Sequence, residues 1–180
     1  MIIRATTEAD LAAITAIYAD SVLHGTGTFE LDVPTAEEMR ARLAVPAALG
    51  LPVLTAEIDG QVAGYAYAGP YRLRAAYRFL VEDSIYVADM FRGRGVGKAL
   101  LDALLDACKA MGMRQMVAVI GDSANAGSIA LHAAAGFEHV GVFHAAGWKF
   151  DAWRDVVFMQ KALGPGATAS PDAPGLDCGR

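Results

Sequence analysis

At 180 residues the chain has the length of one domain, and with 54% hydrophobic and 19% charged residues it has the composition of a packed globule, which excludes a disordered protein. A net charge of −5 excludes the basic footprint of a nucleic-acid binder, and two cysteines, Cys108 and Cys178, exclude a disulfide framework and offer no metal-ligand spacing. The stretch MIIRATTEADL has no apolar signal core and no apolar run nears the ~18 residues of a membrane span, so a cytoplasmic protein without a membrane partner is expected.

In chain order, Met1–Ala5 reads as a short strand. Thr7, followed by Glu8 and Asp10, reads as the N-cap of a helix whose Leu11, Ile14, Ile17, Tyr18 and Val22 recur at helical spacing. His24-Gly25-Thr26-Gly27 ends it. Thr35 and Glu38 form a capping box for a second helix that runs to about Val45. Val53–Ile58 and Val62–Ala68 are strand-like, and Asp59-Gly60 between them signals a hairpin. Tyr71–Tyr77 is basic and aromatic and reads as a loop. Phe79–Val87 is mostly apolar and reads as a central strand. A long helix is predicted from Gly95 to about Met111, a buried strand over Met116–Ile120, an alanine-rich helix over Asn125–Ala135, and two last strands over Glu138–Ala146 and Ala152–Leu163. Residues 164–180 (GPGATASPDAPGLDCGR) carry too little apolar surface to order themselves, so a disordered tail is expected after a single α/β domain over 1–163.

The segment from Val87 to Leu101 carries the clearest chemical signal. A strand runs through Arg92-Gly93-Arg94-Gly95-Val96-Gly97-Lys98 into a helix. A helix N-terminus presents unpaired N–H groups and partial positive charge, glycines admit a ligand close to the backbone, and Arg92 and Arg94 add positive charge, so the turn suits a pyrophosphate. A Walker loop would need Ser or Thr where Ala99 stands and Gly where Arg92 stands. A dinucleotide fingerprint would need Gly where Lys98 stands. What remains is Arg-x-x-Gly-x-Gly, satisfied by Arg92, Gly95 and Gly97, which resembles the acetyl-CoA loop of the GNAT acyltransferase superfamily.

Downstream, Asn125-x-x-Ser128-x-x-Leu131-His132-x-x-x-Gly136-Phe137 resembles that superfamily's second signature. By the resemblance Asn125 and Ser128 help hold the cofactor; from the residues alone, Asn125 is a helix cap, Gly136 a C-cap and Phe137 core. Many members have Tyr where His132 stands, and that Tyr reprotonates the leaving thiolate; His132 is either its substitute or a structural histidine. Three further segments, Gly69–Tyr77, Val81–Val87 and Ala145–Val156, resemble the phosphinothricin acetyltransferase group, which includes relatives that prefer methionine sulfoximine or sulfone. The resemblance runs from about Ile2 to Leu163 and implies a mixed, splayed sheet flanked by helices, acetyl-CoA bound along Val87, Ala88, Asp89 and Arg92 to Lys98, no metal, and a homodimer whose C-terminal segment completes the partner's site.

For the chemistry, the resemblance makes Glu82 the general base; its alternative is a salt-bridged strand carboxylate. An ammonium near pKa 10 outmatches an ordinary Glu near 4.3, so Glu82 needs an apolar setting or a water chain. A backbone N–H near Val87–Asp89 would polarise the carbonyl, and direct attack needs no side-chain nucleophile. Arg72 and Arg74 suit a carboxylate or phosphinate, with Phe29, Tyr77, Trp148 and Phe150 as pocket walls or plain core. The resemblance thus implies acetylation of the amino group of a small amino-acid-like substrate. A protein, peptide or polyamine acetyltransferase and a non-catalytic acyl-CoA sensor are the alternatives. The phosphinothricin enzymes typically read aromatic-Lys-His after the glycine; here Phe150 replaces the His, which predicts a preference for methionine sulfone or sulfoximine.

Overall fold

The computed structural model describes residues 1–177. Its elements are β1 (Ile2–Ala5), α1 (Leu11–His24), α2 (Ala36–Ala48), β2 (Val53–Ile58), β3 (Gln61–Pro70), β4 (Leu80–Val87), α3 (Val96–Ala110), β5 (Gln115–Gly121), α4 (Ala126–Ala134), β6 (Glu138–Lys149) and β7 (Ala152–Ala162). The strands form one sheet in the order β1-β2-β3-β4-β5-β7-β6. Every neighbouring pair is antiparallel except β4 and β5, which run parallel.

Each face of the sheet has its own core. Period-2 alternation turns Ala66 and Ala68 of β3 and Val81 of β4 to one side, where α3 buries Val96, Leu100, Leu101, Leu104, Leu105 and Cys108 against them. The alanines keep that face shallow, so the helix sits close to the sheet. On the other face Tyr65 of β3 is covered by Ile14, Ile17, Tyr18 and Val22 of α1 and Met39 and Leu43 of α2.

The feature that positions the site is the short parallel ladder. β4 pairs with β5 only from Leu80↔Gln115 to Asp83↔Ala118. β4 then continues to Val87 on β3, while β5 continues to Gly121 on β7. The two middle strands therefore part and leave an open wedge in the sheet, the splay that the sequence resemblance implied.

Four local expectations change. A 3-10 turn over Glu8–Asp10 precedes α1, because the Asp10 carboxylate accepts from the Thr7 N–H at 2.8 Å and from both ends of the Arg4 guanidinium at 2.7 Å. α2 passes through Pro46 to Ala48 instead of stopping near Val45; the buried Pro46 carbonyl then takes the N–H groups of Leu49 and Leu51. β6 extends to Lys149, with irregular register between Phe143 and Gly147. The expected disordered tail is packed over residues 164–177: Arg114 donates to the Gly166 carbonyl at 2.9 Å and to the Ala169 carbonyl, and Leu176 is buried in the α3-side core. A tail poor in apolar residues is held by one buried guanidinium and one leucine. Cys178 lies outside the described residues.

Candidate active site

The wedge between β4 and β5 opens into a cleft of about 950 Å³, walled by the turn before α3, the start of α4 and the chain following α1. Gly93 (φ +73°) and Gly95 (φ +79°) adopt left-handed backbone in that turn, and Gly95 is the N-cap of α3. This conformation costs an L-residue roughly 1–2 kcal/mol, which glycine avoids. It aims the unpaired N–H groups of the first turn of α3 at the cleft, where Val87, Arg92, Gly93, Gly95, Val96, Gly97 and Lys98 all border it. Opposite, the Asn125 side chain caps α4 by accepting from the Ser128 N–H at 3.2 Å, and both residues border the cleft.

Glu82 projects from β4 on the tyrosine-covered face, close to where the strands part. Burial pushes its carboxyl up, the neighbouring Asp83 adds to this, and the Arg72 guanidinium opposes it; the result is about 7. Asp83, on the opposite face, meets His132 of α4: Oδ2 lies 3.0 Å from Nε2, with both side chains buried. His132 Nδ1 lies 2.8 Å from the Ser128 carbonyl and must donate to it. Both ring nitrogens thus lie against oxygen acceptors, the Ser128 carbonyl and the Asp83 carboxylate. Burial lowers the His132 pKa, but the hydrogen bond and the charge of Asp83 more than offset this, and the net shift is upward.

The family model described as the acetyltransferase (GNAT) domain matches residues 3–158. The chain belongs to the GNAT acetyltransferase family. It is 49% identical to a phosphinothricin N-acetyltransferase of Alcaligenes faecalis over 94% of this chain and 86% of that protein. It is 39% identical to an L-methionine sulfoximine/L-methionine sulfone acetyltransferase of Salmonella typhimurium over 96% of this chain and 99% of that one. A crystal structure of a phosphinothricin acetyltransferase from Sinorhizobium meliloti in complex with acetyl-CoA superposes with a TM-score of 0.94 at 47% identity, covering 97% of this chain and 94% of that one.

Not every expected residue lines the cleft of this acetyltransferase. The Ala88 N–H is taken by the Ala63 carbonyl at 3.0 Å, Asp89 pairs with Arg92 at 3.1 Å, and the Arg94 guanidinium lies 5.1 Å above the Phe91 ring, so these three support the turn without bordering the cleft. Because Ala88 donates toward β3, strand alternation turns the N–H of Val87 toward the gap vacated by β5. Of the expected substrate residues, Phe29 and Glu82 border the cleft. Arg72, Arg74 and Tyr77 stand on the loop between β3 and β4, with Arg72 near enough to influence Glu82, and Trp148 and Phe150 are exposed around the β6–β7 turn.

The sequence reading missed one wall of the site. Gly25-Thr26-Gly27-Thr28 passes over the end of β5, where a Cβ on Gly121 would come within 2.5 Å of the Thr26 carbonyl. That loop is fixed from below: the buried Lys149 amine donates to the Thr28 carbonyl at 2.8 Å, and the Phe29 ring lies where a Cβ on Gly147 would be, 2.4 Å away. Two glycines close after a helix were the available signal, readable as a close backbone approach and not only as a helix end. Among the described residues no group of three His, Cys, Asp or Glu side chains converges on a possible metal position.

Proposed function

We propose that this acetyltransferase moves the acetyl group of acetyl-CoA to the amino group of a small amino acid of the phosphinothricin or methionine sulfoximine type, with Glu82 as general base. The observation that carries the reading is Glu82: a carboxyl lifted to about 7, at the point where β4 and β5 separate. An amino group with a pKa of about 8–10 stands roughly 4–6 units above an ordinary glutamate and only about 1–3 units above one at 7, and each unit is worth about 1.4 kcal/mol. Burial of Glu82 therefore removes about half or more of the uphill proton transfer. The residues fit acetyl-CoA: left-handed glycines and helix N–H groups face the cleft for the pyrophosphate, Asn125 and Ser128 stand across from them, and the free N–H of Val87 is aimed where a thioester carbonyl would gain negative charge. Acetyl-CoA supplies the activated acetyl group, and direct attack by the neutral amine needs no enzyme nucleophile; buried Cys108, its thiol pushed up to about 12, is a poor one.

For the proton returned to the leaving thiolate, we assign the His132–Asp83 pair as donor. The pair borders the cleft, and the hydrogen bond and charge of Asp83 raise the His132 pKa, which favours a proton on the imidazole. Arg72 and Arg74 favour an anionic or sulfonyl-bearing acceptor over a polyamine. The decisive measurement is thiol release with phosphinothricin, methionine sulfoximine, methionine sulfone and a polyamine. Equal turnover of the polyamine, or none of the three amino acids as substrate, would discard the assignment.

The same reading includes a homodimer. β6 is the edge strand, and Val140, Phe143, Trp148, Phe150 and Trp153 are exposed on and beside it. Burying them against a second copy removes an unpaired strand edge and brings Trp148 and Phe150 to the partner's cleft. The free, buried Cys108 agrees with a cytoplasmic setting. Phe143→Glu is expected to give monomers by sedimentation and to raise the acceptor KM; a monomeric wild type would rule the arrangement out.

A further inference from the structure

The segment after Leu163 does more than cover the core. Its Pro174-Gly175-Leu176 stretch reaches the loop between β3 and β4 at Arg78, two residues before β4 begins. The Leu176 N–H donates to the Arg78 carbonyl at 2.8 Å, and the Arg78 Nε donates to the Pro174 carbonyl at 3.1 Å. Arg78 also donates from Nη1 to the Ala75 carbonyl at 3.1 Å, which ties the same guanidinium to the 3-10 turn Ala75–Tyr77. The contact has no spare room: Gly175 has φ +76°, and a Cβ there would lie 2.7 Å from the Arg78 carbonyl and 2.8 Å from the Phe79 ring. The Leu176 side chain is buried in the core, while the hold on Arg78 is made by the Leu176 N–H and the Pro174 carbonyl. Leu73 and Arg74, by contrast, are exposed, and the backbone bond closing the loop at its other end, Tyr71 N–H to the Leu80 carbonyl, is long at 3.4 Å. The loop that carries both substrate arginines is therefore fastened mainly at its Arg78 end.

We infer that Pro174-Gly175-Leu176 is a positioning strap for the Arg72–Tyr77 loop, and that Arg78 and Gly175 are positioning residues that set affinity for the amino-acid acceptor without touching it. The inference rests on the reading above that Arg72 and Arg74 receive the acceptor. Releasing the strap lets the loop sample arrangements that do not bind. If its competent fraction falls to one-tenth, the acceptor KM rises about tenfold, while sites elsewhere in the cleft are unaffected.

The test uses the full chain with methionine sulfone as acceptor and compares Gly175→Ala, Leu176→Ala, Arg72→Ala and Arg74→Ala. Gly175→Ala forces the strap off Arg78 and is expected to raise the acceptor KM about tenfold, leave kcat and the acetyl-CoA KM within about twofold, and speed tryptic cleavage after Arg72 and Arg74. Leu176→Ala keeps the backbone bonds to Arg78, so it lowers Tm with little change in KM and separates positioning from general stability. An unchanged acceptor KM in Gly175→Ala, with a raised one in Arg72→Ala, overturns the strap and leaves the substrate reading standing. A rise in Leu176→Ala equal to that in Gly175→Ala also overturns it, by making the effect one of stability. An unchanged KM in both arginine variants overturns the substrate reading and the strap with it.

Discussion

Glu82, the proposed general base, shows how one buried side chain ties proton binding to stability. Its carboxyl rises from 4.5 to about 7 because the fold buries it beside Asp83. A raised carboxyl pKa means the folded state binds the proton more tightly than the unfolded chain. The stability this contributes is complete below about pH 4.5 and is lost as pH rises through about 7. With Glu82 as the proposed base, activity is expected to run the other way, since only the ionised form accepts a proton. The expected kcat/KM profile rises with pH to a plateau above about 7. Glu82→Gln should lower kcat by about 10²–10⁴-fold, leave acetyl-CoA affinity by calorimetry unchanged, and raise Tm at pH 8 by several degrees. A mutant with full turnover, or one that melts lower at pH 8, would contradict the assignment. His132 adds to the same trend: its pKa is raised above 6.5, so its stabilisation is complete below that value and fades as pH climbs. Asp10 acts oppositely, because Arg4 holds its carboxyl well below the usual range, and its contribution fades on acidification. Thermal unfolding should therefore be most resistant near about pH 5 and weaken toward pH 8, where the enzyme works fastest.

At the scale of elements, two turns carry unusual backbone for different reasons. The turn into α3 uses glycine at both of its left-handed positions, and a Cβ on Gly95 would meet no protein atom. In the proposed reading that open space receives the pyrophosphate. Gly95→Val should weaken acetyl-CoA binding more than about tenfold, from strain of about 1–2 kcal/mol and from a side chain at the helix start; unchanged affinity by calorimetry would move the pyrophosphate elsewhere. The β6–β7 turn instead places Phe150 (φ +53°) and Asp151 (φ +52°) in left-handed backbone where Asn-Gly is the favoured pair. Phe150→Asn should relieve about 1 kcal/mol and raise Tm by about 2–4 °C. The acceptor preference among methionine sulfone, sulfoximine and phosphinothricin should shift in the same variant if Phe150 reaches the partner's cleft. A fall in Tm would show that the exposed ring contributes packing that outweighs the backbone strain.

For the whole molecule, the C-terminal segment joins the end of β7, the approach to β5 and the loop before β4. Deleting residues 164–180 removes both carbonyls that Arg114 bonds to and exposes the site of Leu176. Leaving a buried guanidinium without those acceptors costs about 3 kcal/mol, which for a domain of this size lowers Tm by about 6–12 °C. A melting temperature within a degree of the full chain would show that the segment contributes nothing. The wedge between β4 and β5 has the same global character. Four paired residues hold the strands together, and the strands beyond are kept apart by their other partners, β3 and β7.

The sequence by itself determined what depends on neighbours along the chain. Helical spacing in α1 and α3, the Asp59-Gly60 hairpin and the capping box at Thr35 are local signals, and each reached the structure. So did the left-handed glycine turn before α3 and the Asn125 cap, because each is built from a few consecutive residues. Chain contacts between distant segments decided the rest. Ala88 reads as a cofactor contact until β3 claims its N–H. Phe150 reads as a pocket wall, but the β6–β7 turn leaves it exposed and away from its own chain's cleft, so any wall it forms is a partner's. A tail of glycine, proline and alanine reads as disordered until Arg114, some fifty residues earlier, supplies it with donors. The pKa of Glu82 is the clearest case: a glutamate in a strand is ordinary, and only burial between sheet and loop, which no local pattern encodes, lifts its carboxyl into the range where it can act as a base.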